Sequence, residues 1–131
     1  MINWNKKDEK DEKHKIHHTL IGESAILKGN LSVKNIIRVD GIVDGNIDCE
    51  SKVIIGKKGT IKGEIKARQL DIEGTFKGKA IITNDINIFK TASVDGELEM
   101  ELISIEQGAT FNASTTKKNT EIPKLIKHLK K

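Results

Sequence analysis

Aromatic residues and cysteine are scarce in this sequence, and each shortage excludes a class of protein. Only 3% of the 131 residues are aromatic, none of them tyrosine, although 36% are hydrophobic. That is lean for an ordinary globular core, and it leaves little for stacking on nucleic-acid bases. The single cysteine, Cys49, excludes an internal disulfide, and it falls at an apolar position where we expect a buried, reduced thiol.

Long hydrophobic runs are missing as well. No stretch of 18 or more apolar residues exists, and no apolar segment followed by a cleavage site stands at the N-terminus. We therefore expect neither a membrane span nor an export signal, and a cytoplasmic location.

Histidine is absent from the central part of the chain. The four histidines are His14, His17, His18 and His128, and none lies between residues 19 and 115. Solenoid enzymes place histidines between their turns as metal ligands or general bases. The segment 74–79 superficially resembles a phosphate-binding loop, but its glycines are one residue too close, and Ala80 stands where a hydroxyl residue would meet magnesium. We predict no enzyme activity, no metal and no other cofactor.

Charge is spread unevenly along the chain, whose formal net charge is +4. Residues 1–18 carry 5 lysines against 4 acidic residues, residues 19–115 carry 12 basic against 14 acidic residues, and residues 116–131 carry 6 lysines against 1 acidic residue. A nucleic-acid binder would place a basic stripe on its folded face. We predict no nucleic-acid partner.

What the sequence does contain is a repeated phrase: a small residue, any residue, a large apolar residue, any residue, then glycine or alanine. Six copies occur between residues 19 and 115, at steps of 16, 18, 15, 18 and 17 residues. No helical or heptad pattern has this period. The central apolar residues are Leu27, Val43, Ile61, Phe76, Val94 and Phe111.

Further apolar positions recur at even distances from these centres. One column lies six residues before each centre, a second lies four residues after it, and a third lies two residues further on. Even offsets are typical of strands whose alternate side chains point inward, and a short repeat with glycines between such columns predicts a solenoid of stacked turns. We predict an all-β, single-domain β-helix of about six short rungs. Its core columns contain Ile37, Val43, Ile47, Ile55, Ile61, Ile65, Leu70, Phe76, Ile88, Val94 and Leu98.

Three segments follow from this pattern: a charged N-terminal tail (1–18), the β-helix (19–115) and a basic C-terminal tail (116–131), with both tails expected to be disordered. The N-terminal tail has no apolar face with which to cover an end of the β-helix. Solenoids normally carry polar capping repeats, because exposed strand edges recruit another chain. We therefore predict end-to-end self-assembly. The contact residues would be Ile21, Leu27, Leu31 and Val33 at one end and Ile103, Ile105 and Phe111 at the other.

The tip of the N-terminal tail leaves two interpretations open. It contains Met1, Ile2 and Trp4 beside Lys6 and Lys7, a combination suited to an anionic membrane surface. One copy would bind weakly, but many copies on a polymer would bind well. The alternative is an unstructured start with a chance tryptophan.

The C-terminal tail leaves three interpretations open. After Pro123, the apolar residues Leu125, Ile126 and Leu129 stand at helical spacing among lysines. The segment is too short to be a stable free helix. It is a solvated basic tail, a docking peptide for a partner or membrane, or a cap folded over the last rung.

The order of these phrases resembles the bactofilins. The segments 19–22, 39–47, 53–56 and 59–65 carry the resemblance, which covers the whole repeat. It implies a small right-handed parallel β-helix that polymerises without nucleotide, by contact of its ends, into bacterial cytoskeletal filaments. It further implies attachment to the inner face of the cytoplasmic membrane, scaffolding of peptidoglycan enzymes and an influence on cell shape. Phe111, in the last rung, would then support the end-to-end contact.

The sequence thus predicts a cytoskeletal scaffold subunit whose first partner is itself. Further expected partners are inner-membrane lipids and cell-wall enzymes or their membrane regulators. The alternative is a non-polymerising β-helix binding module that presents its basic tail to a partner protein. That alternative needs a closed end, so removing residues 116–131 would change its assembly state.

Overall fold

The structure is a computed structural model, and it describes residues 18–117. Within this range the chain forms strands joined by short turns, without a helix. All the strand pairs are parallel. The strands are β1 (Thr19–Ile21), β2 (Ile26–Lys28), β3 (Leu31–Val33), β4 (Ile37–Val39), β5 (Ile42–Asp44), β6 (Ile47–Cys49), β7 (Lys52–Ile55), β8 (Thr60–Ile72), β9 (Thr75–Ile88), β10 (Ser93–Met100), β11 (Leu102–Ile105) and β12 (Thr110–Lys117).

Each turn of chain, here called a rung, crosses three faces of a prism. Face A contains β1, β4, β7, residues 69–72, residues 85–88 and β11. Face B contains β2, β5 and residues 60–62, 75–77, 93–95 and 110–112. Face C contains β3, β6 and residues 64–67, 79–82, 97–100 and 114–117. The predicted parallel β-helix of about six rungs is confirmed.

The core is a narrow column inside this prism, built by strict alternation along the strands. Leu27, Val43, Ile61, Phe76, Val94 and Phe111 are successive partners through the six rungs. The four middle members are at most 1% exposed. Burying each such side chain stabilises the fold by about 1.5 to 3 kcal/mol. In rung 4 the large buried side chain of Phe76 is accompanied by the small buried side chain of Ala80.

One predicted column is wrong in its membership. A fixed offset of six residues placed Ile37 and Leu70 with Ile21 and Ile55, but the strand partner of Ile21 is Val39. The corner between faces A and B explains the error. It has four residues in rungs 1, 3, 5 and 6 (22–25, 56–59, 89–92, 106–109) and only two in rungs 2 and 4 (40–41, 73–74). Ile37 and Leu70 are still buried, because a slip of two residues preserves the inward direction.

Glycines occupy the corner between faces B and C. Gly78 has a φ of +139°, and a Cβ added there would lie 2.0 Å from the carbonyl oxygen of Gly63 in the rung before. The backbones of neighbouring rungs therefore approach too closely for a side chain at Gly78, whereas rung 6 carries Ala113 at this corner.

The tail residues singled out in the sequence lie outside the described residues. They are Met1, Ile2, Trp4, Lys6 and Lys7 in the N-terminal tail and Leu125, Ile126 and Leu129 in the C-terminal tail. Across residues 18–117, no helix is long and apolar enough to cross a membrane.

Candidate assembly interface at the rod ends

The N-terminal end of the rod is packed on one side and open on the other. Strands β1, β2 and β3 pair only with β4, β5 and β6 among the described strands, so one edge of each has no partner there. The inward side chains of this rung, Ile21, Leu27, Leu31 and Val33, are half-buried. Their partners Val39, Val43, Ile47 and Cys49 are at most 3% exposed. The same apolar columns therefore stop abruptly at this end.

The C-terminal end has the same character on two of its three faces. Strand β11 pairs with β9 and β12 pairs with β10, and the described chain adds no further rung. Ile103 and Phe111 are half-buried, and Ile105 is 46% exposed. On face C this rung is polar instead, because Thr115 and Lys117 stand opposite the buried Leu98 and Met100. These positions are exposed in the last rung.

The corner glycines mark the N-terminal end as a surface that could receive another rung. A Cβ at Gly45 would lie 1.8 Å from the carbonyl oxygen of Gly29. A Cβ added at this corner would therefore point toward the backbone of the preceding rung. At Gly29 itself, a Cβ would meet nothing within 4 Å. The N-terminal end thus presents a corner that is shaped for close backbone approach but is not covered.

The free energy gained by burying the apolar side chains of an end can be compared with the free-energy cost of association. Four half-exposed aliphatic side chains would each gain about 1 kcal/mol on full burial, or about 4 kcal/mol for the N-terminal end. Association of two proteins costs at least that much in lost freedom. A stable contact between ends therefore also needs the open strand edges to continue their hydrogen-bonded ladder into the next rod.

The described residues offer little that resembles a catalytic site. Between residues 18 and 117, no group of three or more His, Cys, Asp or Glu side chains is placed to hold a metal ion. Cys49 is buried, and its thiol donates a hydrogen bond to the carbonyl oxygen of Asn35 at 3.2 Å. Burial raises the pKa of this thiol above its ordinary value, so it stays protonated and unreactive near neutral pH.

Face A carries a polar ladder that the sequence reasoning missed. Asp71 accepts a hydrogen bond from Asn87 Nδ2 at 3.0 Å and pairs with Lys52 Nζ at 2.8 Å. Asp85 accepts hydrogen bonds from Gln69 Nε2 and Asn87 Nδ2, both at 3.1 Å. The sequence analysis assigned these residues no role. Their spacing of 16 residues could have paired them, but only once the corner lengths were known.

Several large apolar side chains on the faces were also missed. Leu20 and Ile26 are both 64% exposed, Leu102 is 68% exposed and Ile42 is 40% exposed. All four stand at outward positions of their strands. The alternation that identified the core columns could have identified these residues by the same rule.

Known proteins with a similar sequence or fold are bactofilins. A family model described as bactofilin, polymer-forming cytoskeletal, matches residues 19–116. Bactofilin BacO of Myxococcus xanthus (strain DK1622) is 23% identical over 97 residues, covering 74% of this chain and 77% of that protein. Bactofilin BacP of the same strain is 21% identical over 96 residues, covering 73% of this chain but only 40% of that protein. The fold is also similar to the cryo-EM reconstruction of Thermus thermophilus bactofilin double helical filaments, with a TM-score of 0.66 and 27% identity over 76% of this chain and 99% of that one.

Proposed function

The chain belongs to the bactofilin family of polymer-forming cytoskeletal proteins, and on this premise we propose that its rods stack end to end into filaments without nucleotide. The observation that carries the proposal is the pair of open ends. At each end, apolar columns that are fully buried in the middle rungs become half-exposed, beside strand edges without a partner in the described chain. A second copy supplies both the apolar contact and the missing ladder.

The contact residues that we propose are the inward side chains of the first and last rungs. At the N-terminal end these are Ile21, Leu27, Leu31 and Val33, and at the C-terminal end they are Ile103, Ile105 and Phe111. In the same proposal, residues 19–115 form the polymerisation domain, and residues 1–18 and 116–131 are tails that serve other contacts.

Nucleotide independence is supported by the chemistry of the described surface. The depressions on the rod are open to solvent, and one of them, of about 400 Å³, is lined by polar residues that include Asp48, Glu64 and Lys66. Two acidic side chains against a single lysine would repel a triphosphate. Removing nucleotide should therefore leave assembly unchanged.

We further propose that the filaments lie at the inner face of the cytoplasmic membrane and organise cell-wall synthesis and cell shape. Support comes from the family and from the N-terminal tip, where Trp4 and two neighbouring lysines suit an anionic headgroup region. Many tips on one filament would bind through avidity, although each tip alone would bind weakly. The proposed partners are anionic lipids and cell-wall enzymes or their membrane regulators.

The first experiment uses purified full-length protein treated with apyrase to remove nucleotide. Sedimentation and negative-stain electron microscopy should reveal filaments, in the same amount with or without added ATP or GTP. A chain that stays monomeric, and that aggregates when residues 116–131 are deleted, would instead favour the binding-module alternative.

A second experiment tests the membrane part separately. In a flotation assay, filaments should rise with vesicles that contain anionic lipid. With purely zwitterionic vesicles, the filaments should remain at the bottom of the gradient. The Trp4→Glu variant should assemble normally but lose flotation. Equal flotation of this variant would contradict the role given to the tip.

A further inference from the structure

On face B, each rung places two outward residues, and these residues align in two columns along the rod. One column is uncharged: Ile26, Ile42, Thr60, Thr75, Ser93 and Thr110. The other column, in the same register, is Lys28, Asp44, Lys62, Lys77, Asp95 and Asn112. From rung 1 to rung 6 the charges therefore read plus, minus, plus, plus, minus, neutral.

These charged side chains form no ion pairs within the described part of the rod. Among the described residues, none of the five charged side chains of this column forms an ion pair within 4.0 Å. On face A, by contrast, Lys52, Gln69, Asp71, Asp85 and Asn87 form a continuous bonded ladder. Among the described residues, face C also carries charged side chains without an ion pair: Asp48, Glu64, Lys66, Lys79, Glu97 and Glu99. In the two outward columns of face C, however, no antiparallel register brings together more than two pairs of opposite charges, whereas the charged column of face B allows four.

We propose that face B binds face B of a second copy of this chain, with the two rods antiparallel and shifted by one rung. A two-fold axis parallel to the strands and passing through rung 3 generates this arrangement. Lys28 then lies opposite Asp95 of the second copy, and Asp44 lies opposite Lys77 of the second copy. Because the interface is isologous, each of these contacts occurs twice. The proposal goes beyond the end-to-end filament, since it concerns the side of the rod and joins rods or filaments laterally.

The shift of one rung is what the charge order selects. With all six rungs overlapping, Asp44 would face Asp95 and Lys62 would face Lys77, each twice, and every charged contact would repel. With the shift, four contacts join opposite charges, and one contact, between the two copies of Lys62, joins like charges. No other antiparallel register of this column gives as many opposite-charge contacts. Complementary charges at such a surface fix the register and exclude wrong partners.

The uncharged column provides the apolar part of the contact. Ile26 is 64% exposed and Ile42 is 40% exposed. In the shifted register they lie against Ser93 and Thr75 of the second copy. Two sheets packed face to face stand about 10 Å apart, close enough for these side chains to lose their water.

The experiment reverses charges on full-length protein and counts paired against single filaments by electron microscopy. Asp44→Lys and Lys77→Asp each replace two attractive contacts with two repulsive ones. Either variant should weaken lateral pairing about tenfold, on the scale of exposed ion pairs. The double variant restores opposite charges and should restore pairing.

Matched controls lie in the same rungs on face C. Asp48→Lys and Lys79→Asp make the same charge changes in rungs 2 and 4, and both positions are exposed. They should leave pairing unchanged. Lys62→Gln should strengthen pairing, because it removes the only like-charge contact. Loss of pairing in the face C variants, or a double variant that stays unpaired, would overturn the proposal.

The lateral contact can be separated from the end contact. In a Phe111→Arg background without filaments, the rods should still form a concentration-dependent dimer in analytical ultracentrifugation, and Asp44→Lys should weaken that dimer about tenfold. Filaments that persist in the Phe111→Arg variant would count against the proposed end contact but not against the face B contact. A dimer that is insensitive to Asp44→Lys would count against the face B contact but not against the end contact.

Discussion

Replacing Phe111 with arginine would test the end contact at the place where the structure is most explicit. Phe111 lies opposite Val94 in the preceding rung, and on its other side the described chain adds nothing. A second rod stacked on this end would have to exclude water from the position of the ring. Arginine would place a charge there without a partner among its apolar neighbours.

The expected loss can be worked out from two contributions. Losing the burial of the half-exposed ring costs about 1 kcal/mol, and desolvating an unpaired charge in a contact costs about 3 kcal/mol. The total of about 4 kcal/mol corresponds to a rise of about 10³-fold in the critical concentration for assembly, since each 1.4 kcal/mol is a factor of ten. Sedimentation over a concentration series measures this quantity. Phe111→Arg should remain in the supernatant at concentrations where the unmodified chain pellets.

The control is Ser114→Arg, in the same strand but at an exposed, outward position of face C. It adds the same charge to the same rung and should assemble normally. Circular dichroism during heating would establish that both variants fold. Ile105→Lys offers a second test, because Ile105 is already 46% exposed in the rod and its replacement disturbs the fold little. A folded Phe111→Arg or Ile105→Lys rod with an unchanged critical concentration would refute the end-stacking mechanism.

Three further changes test other parts of the account. Gly78→Ala should destabilise the rod by about 3 kcal/mol or more in urea unfolding, because the backbone of the neighbouring rung occupies the Cβ position. Gly29→Ala should cost only about 1 kcal/mol of stability from backbone strain. Its main effect should be to raise the critical concentration for assembly. Asp71→Ala should lower the free energy of unfolding by about 1 to 2 kcal/mol, since Lys52 loses its ion pair and Asn87 keeps only its hydrogen bond to Asp85. Glu23→Ala breaks only an exposed ion pair and should leave stability unchanged. Because burial raises the pKa of Cys49, its thiol should react with Ellman's reagent at pH 8 more slowly than free cysteine, and urea should abolish the difference. The thiol's contribution to stability should be lost as pH rises through its folded pKa.

Inward positions could be predicted well from the sequence, because a single physical rule governs them. Val43, Ile61 and Phe76 had to share a column, since each is central to a phrase bounded by small residues and only one direction in a strand is inward. The membership of the Ile21 column could not be fixed in the same way. It depends on whether a corner has two or four residues, and both lengths return the chain to an inward position.

The candidate interface at the ends could be located from the sequence for the same reason. Ile21 and Phe111 belong to the first and last copies of the repeat, so a solenoid must leave them beside an open end. The surface of face B could not be anticipated. Lys28, Asp44 and Lys77 are unremarkable as separate charges, and their order becomes meaningful only when the strand register aligns them in one column.

Hydrogen exchange of the full-length chain, compared below and above its critical concentration, tests the central claim most directly. Stacking of rod ends predicts that backbone amides of β2 and β3 in the first rung and of β12 in the last rung gain protection on assembly. The amides of the middle rungs, already paired on both sides, should change little. Assembly that leaves the first and last rungs exchanging as fast as in the free rod would contradict the account.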